Sequence, residues 1–294
     1  MTFSAYNNAH EFATQQLHAV NEQRLLSRIC VSAPYFALQT LSYGDKRLRA
    51  SATAGLPMGL EVGPMSSAEI SRHAAITGLC VAALTQHDDD RRFYLAQRAE
   101  YSSVLNSAPY GSQVQFEARL EALNKRGARS TIQVSAADKP LARLIIDYTI
   151  LTDYAFKRLF RSHRRPTCPQ TEMDSRLPGT LSVENGRALH ELTALPKAAC
   201  AGHFVDYPAL PVALLLGQLG TTAAHLMASE KWRGLRAVVN ATDLCWAGER
   251  VRFEAVRASP PRAQAAAETA ALFNCRVVAE ERVVCTAEFA LEAH

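Results

Sequence analysis

The sequence lacks the marks of several common protein classes. No Cys-x-x-Cys or His-x-x-His pair occurs, so the usual spacings of zinc sites and dithiol redox centres are missing. The cysteines number seven, an odd count, at Cys30, Cys80, Cys168, Cys200, Cys245, Cys275 and Cys285. Scattered in this way they predict reduced, mostly buried thiols of a cytoplasmic protein and not a disulfide framework. The opening stretch MTFSAYNNAHEF has neither a basic n-region nor an apolar h-region, so no secretory signal is expected. Neither sign of charge dominates: 32 Lys and Arg face 28 Asp and Glu, a net +4. That is too weak for a nucleic-acid surface, though it suits an acidic partner. Membrane-length apolar runs are missing as well. The most apolar stretch, 209–227, holds Gln218, Thr221, Thr222 and His225 and is broken by Pro211 and two glycines, which predicts a buried helix and no membrane span. Gly-x-Ser-x-Gly is absent, so Ser66 and Ser67 are not read as nucleophiles.

What is present is a core-rich chain of 294 residues, 48% hydrophobic and 20% charged. That suits one large domain or two of roughly 120–150 residues. Residues 159–178, LFRSHRRPTCPQTEMDSRLP, interrupt the apolar periodicity with basic residues and three prolines and are read as a linker. The two sides share an order of features. Hairpin-like stretches come first, LQTLSYGDKRLRASATA and LSVENGRALHELTAL, each with a Gly-containing turn. Long apolar helices follow, predicted over 66–86 and 211–232. Alternating strands come last, beginning with GSQVQFEARLEAL and GERVRFEAVRAS, which share Gly-x-x-Val-x-Phe-Glu-Ala. A helix apolar nearly all round must be wrapped on most sides, which a curved antiparallel sheet can do. The expected organisation is α+β: an N-terminal helical extension (1–33), a first repeat (34–158), the linker, and a second repeat (179–294).

This arrangement resembles a tandem, or double, hotdog fold, two long central helices each wrapped by a curved antiparallel sheet. The segment CAGHFVDYPALPVALLLGQLG (200–220) is similar to the 3-hydroxyacyl-[acyl-carrier-protein] dehydratases, whose motif reads Gly-His-Phe-Pro-Gly-x-Pro-x-x-Pro-Gly-Val followed by an acid on the helix. Gly202, His203, Phe204, Pro208 and Pro211 match it; Val205-Asp206 replaces Pro-Gly, Val212 replaces a glycine, and Gly217 holds the place of the acid. The first repeat has no histidine before its helix but carries Glu69 in the helix's first turn. Aligning Gly63-Pro64 with Pro211-Val212 sets Glu69 opposite Gly217, and sets His73 where the family often has Gln.

In that family each site is built across two hotdog units, so the resemblance implies that the second repeat gives His203 as base and the first gives Glu69 as acid. Dehydration of a 3-hydroxyacyl thioester needs both, one to take the Cα proton and one to protonate the departing hydroxide. The resemblance also implies a backbone donor to the thioester carbonyl at the helix N-terminus, here the Val212 N–H. Burial would raise the carboxyl's pKa, whereas the helix terminus, Arg72 and His73 would favour its ionised form. His73, Asp206 and Arg72 are therefore supporting candidates, Asp206 as a turn residue or as a group orienting His203. Ser66 or Ser67 is expected to cap the helix, and Ser66 stands at capping-box spacing from Glu69. His225 is read as a buried structural histidine, His87-Asp88-Asp89-Asp90 as a solvated loop, and the basic run 157–165 as a linker or a docking surface for an acidic carrier protein.

The function expected from the resemblance is dehydration of a 3-hydroxyacyl thioester, carried on acyl-carrier protein or coenzyme A, in a specialised fatty-acid or polyketide pathway, with no metal or other cofactor. Two alternatives stand beside it: hydrolysis of an acyl thioester, as in hotdog thioesterases, and a non-catalytic acyl-binding or assembly subunit. No nucleic-acid partner is expected, and a homodimer is compatible with the fold.

Overall fold

The computed structural model describes residues 16–104, 108–165, 173–227, 229, 231–258 and 270–294. The first half runs β1 (His18–Ala19), α1 (Glu22–Arg28), β2 (Gln39–Gly44), β3 (Arg47–Ala52), α2 (Ser67–Thr85), β4 (Arg92–Ser103), β5 (Val114–Leu123), β6 (Gly127–Ala136), β7 (Lys139–Thr152) and α3 (Asp153–Leu159). The second runs β8 (Thr180–Glu184), β9 (Arg187–Leu192), α4 (Val212–Ala224), β10 (Trp232–Ala241), β11 (Val251–Arg257), β12 (Ala271–Ala279) and β13 (Arg282–Ala293). All strands join one sheet, in the order β1-β2-β3-β5-β6-β7-β4-β10-β13-β12-β11-β9-β8. Every pairing between these strands is antiparallel. Beyond β1 the order is a palindrome: β2, β3, β5, β6, β7 and β4 are answered by β8, β9, β11, β12, β13 and β10.

Local sequence accounts for most elements. In β6 the inward residues Ala128, Ser130, Ile132, Val134 and Ala136 are buried, and the residues between them are not. That is the period-2 pattern of a strand with one face on the core. The β8–β9 hairpin turns on Asn185-Gly186, both at positive φ, and the β2–β3 hairpin on Asp45-Lys46, also at positive φ. The first of these pairs is the residue choice that two-residue hairpins favour. Helix α2 is capped by Ser66, whose Oγ accepts from the Glu69 N–H at 3.1 Å.

Helix α2 packs on β3, β5, β6 and β7; α4 packs on β9, β11, β12 and β13; and the two helices touch one another. Two apolar cores result, bridged by Ala99, Tyr101 and Met173. Two details differ from the sequence-based expectation. Helix α4 ends at Ala224, well short of Trp232, which opens β10; the Trp232 ring lies over Gly220, where an added Cβ would meet it at 3.2 Å. His225 is the exposed C-cap residue of that helix, not a buried histidine. The acidic run 87–90 is an exposed loop, as expected, and it is also ion-paired: Asp89 binds Arg24 and Arg28 of α1, and Asp88 binds Arg92. Of the predicted linker, 166–172 and Cys168 lie outside the described residues; its earlier part continues from α3 as a short 3-10 turn at Arg161–His163. The described cysteines are all buried free thiols, and no described helix is long and apolar enough to cross a membrane.

Candidate active site

The loop 200–211, between β9 and α4, carries His203 across the midline. Phe204, Tyr207 and Ala209 belong to the core around α2, not to that around α4. Phe204 sits edge-on to Phe93 and Phe156, which stack on each other at 3.6 Å. The imidazole is partly buried. Its Nδ1 lies 2.9 Å from the Ala209 carbonyl oxygen. A carbonyl can only accept, so Nδ1 holds the hydrogen and Nε2 keeps its lone pair. Burial pushes the His203 pKa down to about 4, against the opposing pull of its hydrogen bond to Ala209. The ring is thus a neutral base at ordinary pH.

His203 and Val212 both line a cavity of about 230 Å³. Ala75, Ile76 and Leu79 of α2 form one wall; Phe160 and Tyr35 form part of another. Val212 is the first residue of α4, so its N–H has no carbonyl behind it in the helix. Gln97, Thr149 and Asp243 are polar lining residues that sequence reasoning missed. Gln97 sits at an irregularity in the β4–β7 register, and Thr149 donates to its Oε1 at 2.9 Å. A bulge of this kind re-aims a side chain and leaves no trace in a single sequence. Asp243 is already engaged: it pairs with Arg282 and accepts from the Leu244 N–H at 2.7 Å.

Glu69 is not among the residues lining this cavity. It is fully buried beside the strand-to-helix loop, where Oε1 accepts from the Gly55 and Leu56 N–H groups at 2.7 and 3.2 Å. Arg72 Nη1 lies 3.9 Å and His73 Nε2 3.6 Å from the same oxygen. The His73 distance exceeds a hydrogen bond, both of its ring nitrogens lack a partner among the described residues, and burial pushes its pKa down. Counted from the helix caps Ser66 and Pro211, it is Arg72, not Glu69, that stands level with Gly217. Gly217 itself has no room for an acid, since an added Cβ would meet the Ala68 Cβ at 2.8 Å. Asp206 is a turn residue at φ 63°; its carboxylate lies 3.7 Å from Arg164, and its carbonyl accepts from the Arg165 N–H. The basic segment 157–165 therefore braces the His203 loop from outside, and His163 stacks on Trp246 at 4.4 Å.

The palindrome predicts a counterpart of this cavity at the N-terminus of α2. There the equivalent space is nearly filled. Among the described residues, pockets of about 30 and 20 Å³ lie there, lined by Ser67, Ala68, Tyr101, Trp232 and Gly234 among others. Met58 takes the position of His203 when counted back from the caps. The Ser67 N–H, which corresponds to that of Val212, donates to Glu61 Oε1 at 2.9 Å. Burial pushes the Glu61 carboxyl up to about 7, with hydrogen bonds to Ser67 and Gly234 opposing.

No family model matches the chain, and no curated protein matches it. Its fold is similar to those of several solved structures. One is a 12:0-ACP thioesterase from Umbellularia californica, with TM-score 0.56 and 11% identity, covering 85% of this chain and 95% of that one. Another is a tesB protein of Mycobacterium avium subsp. paratuberculosis, with TM-score 0.55 and 14% identity, covering 86% and 95%. A third is an acyl-ACP thioesterase from Bacteroides thetaiotaomicron, with TM-score 0.52 and 12% identity, covering 84% and 98%. At such identities the likeness speaks for the fold alone: the chain has an α+β, hotdog-type architecture.

Proposed function

We propose that the chain is a tandem hotdog enzyme that hydrolyses an acyl thioester, with one working site per chain. The observation that carries this reading is the cavity in which a neutral imidazole, His203, meets the N-terminus of α4 at Val212 beside an apolar wall from α2. Hydrolysis needs a base, a donor for the oxyanion and an apolar slot. In this reading His203 Nε2 takes a proton from water as the water oxygen bonds to the carbonyl carbon. The oxyanion accepts from the Val212 N–H. The C–S bond then breaks, and the leaving thiolate recovers the proton from the imidazolium, so the products are a carboxylic acid and a free thiol. The cavity lies below the roughly 300–1,000 Å³ of ordinary small-molecule sites, which favours a short or medium acyl group. The carrier is coenzyme A or an acyl-carrier protein, whose negative charge suits the exposed Arg158, Arg161 and Arg165 next to the cavity-lining Phe160. The unpaired, buried thiols of the described cysteines fit a cytoplasmic setting.

Dehydration is the second reading, favoured by the Gly202-His203-Phe204 motif with its two spaced prolines. It needs in addition a proton donor for hydroxide. Among the described lining residues the one carboxyl is that of Asp243, tied to Arg282, which makes hydrolysis the better supported. The deciding assay incubates the protein with acyl- and 3-hydroxyacyl-coenzyme A and follows free thiol and enoyl absorbance side by side. Thiol release that disappears in His203→Gln supports hydrolysis. An enoyl product returns the reading to dehydration, and turnover of neither leaves an acyl-binding subunit.

A further inference from the structure

The first-turn acid of α2 and the arginine after it have a job outside the cavity. The segment 31–36 lies flat against the His203 loop. Val31 bridges to His203, the Ser32 N–H donates to the Gly202 carbonyl at 3.0 Å, and the Tyr35 ring lies 5.0 Å from the imidazole. The contact is so close that a Cβ on Gly202 would come within 2.3 Å of the Ser32 carbonyl oxygen. What holds this segment is Arg72. Its Nε and Nη2 donate to the Tyr35 carbonyl at 2.9 and 2.6 Å, Nη2 also donates to the Pro34 carbonyl at 2.7 Å, and its guanidinium lies 5.2 Å over the Tyr35 ring. Arg72 is 3% exposed, so its charge needs a counter-ion, and the carboxyl of Glu69 lies 3.9 Å away, itself held by two backbone N–H groups. A planar fork that grips two carbonyls and stacks on a ring is something arginine supplies and lysine does not.

We propose that Arg72, neutralised by Glu69, is the positioning residue for His203: it clamps the carbonyls of Pro34 and Tyr35 so that the Tyr35 ring fixes the imidazole against the cavity. This rests on His203 being the base of the proposed reaction. It gives the buried acid a role that does not require contact with substrate.

The test pairs steady-state hydrolysis of octanoyl-coenzyme A with an NMR titration of the His203 imidazole. Arg72→Met removes the clamp but strands Glu69, so the double variant Glu69→Gln with Arg72→Met, which removes both charges, guards against simple misfolding. Both variants are expected to lose tenfold or more in kcat with KM within about twofold, because the apolar wall of α2 is untouched. The His203 pKa should move from about 4 toward the ordinary value near 6.5 as the ring loses its packing. Arg72→Lys keeps the charge without the fork and should fall between wild type and Arg72→Met. Folded variants with unchanged kcat and an unchanged His203 titration would overturn the proposal. If wild type hydrolyses no thioester, the functional reading fails, while the titration still decides the positioning claim.

Discussion

His203 shows how little of a site is in the residue itself. The histidine acquires a defined tautomer from the Ala209 carbonyl and a low pKa from burial. In the proposed reaction the neutral form is the base, so hydrolysis should fall away on the acid side only as pH drops through about 4, not near 6.5; a pH–rate profile of kcat/KM checks this. Stability has its own sign. A histidine whose folded pKa lies below its unfolded value binds more protons when unfolded, so its contribution is intact above about 6.5 and is lost as pH falls toward 4. Glu61, raised to about 7, acts in the opposite direction and loses its contribution as pH rises. The difference between wild type and His203→Gln in pH-dependent thermal melts therefore isolates the histidine. Gly202 is the companion residue. It sits at φ 77° with no space for a side chain. Gly202→Ala should cost about 1–3 kcal/mol in denaturant unfolding and reduce activity with it. The motif made Gly202 and His203 legible; Tyr35 and the Ala209 carbonyl were not, because nothing local marks a ring or a carbonyl that meets the histidine only after folding.

At the scale of elements, composition was a good guide to the buried helices and a poor one to the strands that join the halves. Residue type and spacing predict a cap at Ser66 or Ser67, and the structure has Ser66, whose hydroxyl accepts from the Glu69 N–H. Ser66→Ala should destabilise the protein by about 1 kcal/mol in equilibrium unfolding. The other half of the predicted capping box failed informatively: the Glu69 carboxyl turns to the N–H groups of Gly55 and Leu56. Strands β4 and β10 were not singled out by reading the chain. RFYLAQRAEYSS mixes burial classes along its length, since it crosses from one core to the other and bulges at Gln97. The apolar signal of α4 ran straight into Trp232, whereas the helix ends at Ala224 and Trp232 opens β10 with its ring over Gly220.

The whole molecule is a single sheet with a palindromic strand order, joined where β4 pairs with β10. Its two ends of the helix pair are not equivalent: one opens on about 230 Å³ with a histidine, and the other is filled and has Glu61 on the helix N-terminus. Calorimetric titration with the non-hydrolysable thioether of octanoyl-coenzyme A should therefore give one ligand per chain; two per chain would contradict a closed second site. The sequence by itself determined the α+β class, the duplicated order of hairpin, helix and strands, the helix cap and the placing of His203 in a turn. Each of these depends on residue type and short-range periodicity, which act within a few positions. Only the tertiary structure decided that Glu69 is taken up by the Gly55 and Leu56 N–H groups and stands outside the His203 cavity, that Gly217 is packed against Ala68, and that segment 31–36 carries the imidazole. Those outcomes are set by how loops and helices far apart in the chain are brought together. A shift of three residues along a helix turns a side chain by about 60° and moves it about 4.5 Å along the axis, and no local pattern records it.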